Sequence, residues 1–186
     1  MSAAGHIDPS NKKIALLIAL LALVLALSET LGKSAQTAVL GYNIEASNLW
    51  AFFQAKTVRM TTVRTAAESA QPEAPAATGE VRAAYDKQIE AWKKTAARYE
   101  SEPETNEGRK ELAARAKAAE GKRDRALAAY HLYEVASGAV QVGIVLASAA
   151  IITTVMALAL IGAGLGVVGP ALMLVGLVAP TALHLF

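Results

Sequence analysis

Apolar and polar positions divide this chain into two kinds of segment, one apolar throughout and one polar on all but a single helical face. The first apolar run covers 14–31 and reads IALLIALLALVLALSETL. A helix of about 20 apolar residues crosses roughly 30 Å of hydrocarbon, so this run with its flanks is predicted to be a first transmembrane helix. Asp8 can cap it, Pro9 suits its first turn, and Lys12 and Lys13 can reach lipid headgroups. A signal peptide is the rival reading, but its apolar core is ordinarily about 7–15 residues, shorter than this run. A second span is predicted over 139–161 and a third over 171–186. Between them 162–170 reads GAGLGVVGP, and glycine with proline predicts a tight turn. Gly162 and Gly166 also form a GxxxG pattern, which lets membrane helices approach closely. At a turn, backbone freedom is the simpler use of these glycines.

The middle, 32–138, carries helix signals. Ala35, Val39, Tyr42, Ala46, Leu49, Phe53, Lys56, Met60, Val63 and Ala67 follow alternating steps of four and three, a heptad seam with one lysine inside it. No proline separates this seam from the first apolar run. One helix from about Pro9 to Ala70 is therefore expected, roughly 90 Å long at 1.5 Å per residue. The stretch 71–79, QPEAPAATG, predicts a loop. A short helix follows over about 80–100, with Val81, Tyr85, Ile89, Trp92, Ala96 and Tyr99 on one face. A second loop spans 101–108, and a helix from near Arg109 is expected to continue into the second span with Leu112, Ala116, Ala119, Leu127 and Tyr130 as its stripe.

The pattern thus predicts an all-α integral membrane protein with a tail over 1–13, three transmembrane helices, and a long coiled-coil-like extramembrane hairpin between the first and second. A narrow hairpin with few large residues buries little surface. Its third helix can cover part of the seam and neighbouring copies the rest, which leads us to expect a homo-oligomer, closed cyclic symmetry being the default. Tyr42, Leu49, Phe53, Lys56, Met60 and Val63 are the expected oligomer or partner contacts.

Composition narrows the chemistry. The 18 basic and 16 acidic residues nearly balance, unlike the basic excess of a nucleic-acid binder. With no cysteine, disulfides, thiol catalysis and cysteine-based zinc or iron–sulfur sites are excluded. His6, His131 and His184 share no metal-ligand spacing, and His131 sits beside Tyr130, Tyr133 and Glu134 as interface residues do. No phosphate loop or nucleophile elbow is present. No cofactor or metal is expected, and the chain is not read as an enzyme. Glu29, Thr153 and Thr154 are the candidate intramembrane polar positions. Glu29 is also read as a boundary residue within a turn of water, and hydroxyls like those of Thr153 and Thr154 commonly bond back to their own helix. Glu45, Asn48, Trp50 and Gln54 are read as a polar network that sets register between packed helices, with a ligand surface as the alternative.

The segment Ile44-Glu-Ala-Ser-Asn48, Trp50-Ala51 and Gln54-Ala-Lys56, with Ala35-Gln-Thr37 before it and Asp8-Pro-Ser-Asn-Lys12 ahead of the first span, resembles bacterial membrane proteins grouped as domain of unknown function 4337. The resemblance covers the chain in outline and implies a bacterial inner-membrane protein, with no chemistry attached. Members of that family tend to carry basic residues in the turn between the last two spans, whereas 162–170 is neutral here. Lys12 and Lys13 favour a cytoplasmic N-terminus under the positive-inside rule, while Lys117, Lys122, Arg123 and Arg125 ahead of the second span oppose it from inside a long segment. The hairpin is accordingly expected on the periplasmic side. The expected function is a self-assembling structural or scaffold protein, alternatively a homo-oligomeric channel or transport component. Its partners would be the lipid bilayer, further copies and another membrane protein, and not nucleic acid.

Overall fold

The computed structural model describes residues 9–183. Asp8, His6, His184 and Phe186, used above as a cap, candidate ligands and the end of a span, lie outside the described residues. Four α-helices account for nearly all of the rest: α1 Pro9–Ala70, α2 Gly79–Glu100, α3 Arg109–Thr153 and α4 Met156–Val178, with one-turn 3₁₀ segments at Ala74–Ala76 and Pro180–Ala182. Helix α1 runs without a break for 62 residues. No strand occurs among the described residues. Among the described residues three helices are long and apolar enough to cross a membrane.

The chain forms two compact units, one from residues up to Leu40 with those from Arg123 onward, the other from Gly41–Lys122. In the first, the start of α1, the end of α3 and all of α4 pack around Ile14, Leu21, Val140, Ala147, Ala150 and Ala159. A neighbouring cluster joins Ala129, Tyr133, Ala136 and Met173. The Ser28 hydroxyl, fully buried, donates to the Tyr133 carbonyl at 2.9 Å, which satisfies the one polar group that α1 turns into this interior.

Small residues set the spacing of these helices. A Cβ on Gly162 would stand 2.7 Å from the Gly143 carbonyl oxygen, and one on Gly143 would stand 3.0 Å from that of Gly162. Gly166 faces Leu21, Gly169 faces Val140, and Gly176 faces the Tyr133 ring in the same close manner. Where both surroundings are apolar, association rests on close packing, and glycine stripes permit it.

This packing corrects the expected turn. Residues 162–170 lie inside α4, with Pro170 in mid-helix, and the break between α3 and α4 falls at Thr154 and Val155. The second apolar helix therefore ends at Thr153 rather than 161, and the next begins at Met156 rather than 171. The physical reason is twofold. Opening the backbone among apolar side chains leaves its polar groups unpaired, while Thr153 can serve the freed groups, its hydroxyl donating to Ala149 O at 2.8 Å and accepting from the Val155 amide at 3.4 Å. Thr154 takes φ 58°, a left-handed conformation that is strained for a β-branched residue.

In the second unit, Ala46 and Leu49 of α1 pack on Leu112, Ala116 and Ala119 of α3, with Trp50, Phe52 and Phe53 around them. Ala67, Ala70, Ala74 and Ile89 form a second cluster with Tyr85 and Trp92. The heptad seam is the inward face of α1, as its spacing requires.

Candidate functional site

The seam residue that breaks the apolar pattern, Lys56, is the centre of the most elaborate constellation in the second unit. It is 7% exposed. Its ammonium lies 5.4 Å from the Phe52 ring centre and 5.5 Å from that of Tyr99, and within 3.8 Å of Glu102 and 3.7 Å of Glu107. Three elements meet at it, since Phe52 belongs to α1, Tyr99 to α2, and both carboxylates to the connection into α3. Two aromatic faces and two carboxylates together offset the desolvation of one cation.

Arg109, the first residue of α3, makes the adjoining contacts. Its Nη1 pairs with Glu100 at 2.7 Å, its Nε donates to the Thr57 hydroxyl at 2.8 Å, and its guanidinium stacks 4.9 Å from the Phe53 ring centre. Further along, the Trp50 indole N–H donates to Glu120 at 2.8 Å while its ring meets Phe53 edge-on, and Lys122 lies over Tyr42.

The corner at 101–108 is held from α3. Glu111 accepts from the Ser101 hydroxyl at 2.6 Å and from the Glu102 amide at 3.1 Å. The Ser101 hydrogen bond outweighs the opposing effect of burial and, with a smaller contribution from the Glu102 amide, holds this carboxyl below its ordinary value of 4.5. Asn106 adopts φ 56°, and its carbonyl accepts from Arg115. Gly108 leaves no room for a Cβ, which would meet the Glu111 carboxylate and the backbone of Ser101 and Glu102.

The expected contact residues are thus engaged within the chain. Leu49, Lys56 and Met60 are buried, Phe53 is packed under Arg109, Tyr42 under Lys122, and Val63 is half-buried on the same inward face. Within the chain, α3 covers part of the seam as its stripe suggested, and Tyr99 of α2 adds to that cover at Lys56. The polar residues of the marker segment do not all point one way. Trp50 alone turns toward α3, while Glu45, Asn48 and Gln54 are exposed, because their positions fall outside the seam.

Nor do the intramembrane candidates converge. Glu29 accepts from Gln141 of α3 at 3.3 Å, a partner that the sequence reading did not name. Thr153 and Thr154 lie at the end of α3 with hydroxyls donating to Ala149 O and Thr153 O. Glu102, Glu107, Arg109 and Glu120 were likewise missed. Each meets α1 from far along the chain, and only their place at a loop or on the opposed helix face could have pointed to them.

Among the described residues every buried side-chain nitrogen or oxygen has a hydrogen-bond partner, and no three metal-ligating side chains cluster. What this geometry does chemically is hold helices in register. The family model for the domain of unknown function DUF4337 matches residues 10–179, and the chain belongs to that family. No curated protein and no solved structure matches it.

Proposed function

We propose that this DUF4337 member is a multi-pass protein of the bacterial inner membrane that acts as a self-assembling scaffold, without catalysis. In this reading α1, α3 and α4 span the bilayer. The C-terminal part of α1, α2 and the start of α3 form a helical hairpin on the periplasmic side, and Lys12 and Lys13 lie in the cytoplasm.

The observation that carries the reading is the outward face of the first unit. Leu16, Leu20, Leu23 and Leu27 of α1, Val142, Val145 and Ile152 of α3, and Leu160, Leu174 and Leu177 of α4 are all exposed. An apolar exterior on every helix suits lipid and is costly in water. The second unit supports the structural half of the reading, since its least exposed charges, Lys56 and Arg109, join helices to one another.

Because the chain has no cysteine, single-cysteine variants give its topology directly. Cysteines placed at exposed positions of α2 are expected to react with a membrane-impermeant maleimide from the periplasm. Labelling only after the inner membrane is opened would reverse the orientation. Mass measurement in lipid nanodiscs is expected to show more than one copy per particle, and a strict monomer would end the scaffold reading.

A further inference from the structure

With the inward seam of α1 covered by its own chain, its opposite side becomes the notable surface. Ile44, Asn48, Ala51, Ala55, Val58 and Thr62 are all exposed, and they step by four and three in strict alternation. This is a second heptad pattern on the same helix, turned about half a revolution from the first. The stretch 41–122 holds 25 of the chain's 34 charged residues, yet none occupies these positions. Of the three large apolar side chains most exposed in this unit, Ile44 at 60%, Val58 at 66% and Val81 at 58%, two lie here, two heptads apart.

We infer that this outer face of α1 is the surface on which a second copy of the chain docks, as a parallel two-stranded coiled coil. The inference rests on the scaffold reading and names its interface. Three features of the sequence, together with the proposed membrane anchoring, favour another copy over an unrelated partner. In heptad terms Asn48 falls at an a position, where a single asparagine pairs with its own counterpart in a parallel, in-register dimer and fixes that register. The flanks are compatible with self-pairing, for parallel register sets Gln54 of one copy against Arg59 of the other and opposes no like charges. Anchoring both copies in one membrane enforces the parallel direction. In the apolar unit, moreover, the exposed side of α1 carries Ala15, Ala19, Ala22 and Ala26, small residues at the spacing by which membrane helices associate.

Cysteine crosslinking in native membranes tests this. Ala51→Cys, Ala55→Cys and Val58→Cys are each expected to give a disulfide dimer as the major product on mild oxidation, since a and d positions bring Cα atoms within bridging distance. Asn43→Cys and Glu68→Cys, exposed on the same helix but off the stripe, are expected to stay monomeric. Ala55→Arg is expected to abolish the dimer in nanodiscs while leaving the fluorescence of Trp50 and Trp92 unchanged, which shows that the fold is intact. Crosslinking of the controls but not of the stripe, in a particle whose mass is oligomeric, would overturn this surface and leave the scaffold reading standing. A monomeric mass with no crosslinks would remove both. Loss of the dimer in Ala55→Arg accompanied by altered tryptophan fluorescence directs the same measurement to Ala51→Arg, where retention of the dimer would count against the inference.

Discussion

The two units of this chain solve the same packing problem with opposite materials. In the first, helices approach through glycine and alanine, and large apolar side chains face outward. In the second, helices are held by aromatic rings and buried or half-buried ion pairs, and the exterior carries charge. With the first unit placed in the bilayer as proposed, the difference follows from what lies outside. In water, burying leucine removes apolar surface from solvent and cations can be left at the rim. In an apolar medium that drive is absent, so contact depends on how closely backbones can come. The sharpest contrast is between Lys56, a cation made tolerable inside the polar unit by four partners, and Gly162, which does its part by having no side chain at all.

A leucine truncation made in both units tests this contrast with the largest expected effect. Leu112, fully buried in the second unit, should cost about 3 kcal/mol when changed to alanine, the sum of lost transfer and a cavity. Leu21, 2% exposed in the first, should cost appreciably less, because only packing is lost there. Urea titration of each variant in nanodiscs, read by tryptophan emission and by protease susceptibility, measures both. Equal costs would erase the proposed difference in surroundings. Next in size, Gly162→Ala should destabilise the α3–α4 contact by about 2 kcal/mol, since its Cβ meets backbone, whereas Gly164→Ala, which meets nothing within 4 Å, should be neutral or mildly stabilising. Thermal unfolding in detergent distinguishes the pair. A smaller change is expected from Thr154→Asn, which eases the left-handed residue and should add up to about 1 kcal/mol in the same assay.

The smallest effect is one of pH and belongs to the polar unit alone. Glu111 has its folded-state value depressed, so its contribution to stability is present above the ordinary value of 4.5 and fades as pH falls below it. Protection of the amides at residues 101–108, measured against the intrinsic exchange rate at each pH, should fall below about pH 4.5. Glu111→Gln should show that lower protection at neutral pH already and little further loss on acidification. An unaltered pH profile in the variant would show that another carboxylate is responsible.

Much of this was legible in the chain because local spacing encodes it. The steps from Ala46 through Leu49, Phe53, Lys56 and Met60 placed one face of α1 inward, and the structure puts it there. The 62-residue extent of α1 followed from the absence of any breaker. Two things were not legible. The partners of Lys56 come from a loop more than forty residues later, and no periodicity links a lysine to Glu102 and Glu107. The other is the turn between α3 and α4, misplaced because glycine and proline were given the meaning they have in loops, whereas here they lie inside α4. Gly162, Gly166, Gly169 and Gly176 recur at four, three and seven residues, a helical stripe that was visible but outweighed by the expectation of a turn.

The corner between α2 and α3 has a bearing on how this chain can vary. Glu111 holds both Ser101 and the Glu102 amide, Arg115 holds the Asn106 carbonyl, and Gly108 fits with no space to spare. One added or deleted residue there would shift Glu102 and Glu107 away from Lys56 and Arg109 away from Glu100. The connection between α1 and α2, by contrast, is tied to its neighbours through the exposed Glu73–Tyr85 hydrogen bond and the packing of Ala74. Length changes and inserted tags are therefore tolerated near residues 75–78 and not at 101–108. For an engineer the first loop is a place to attach a reporter, and the second is a joint whose length is part of the fold.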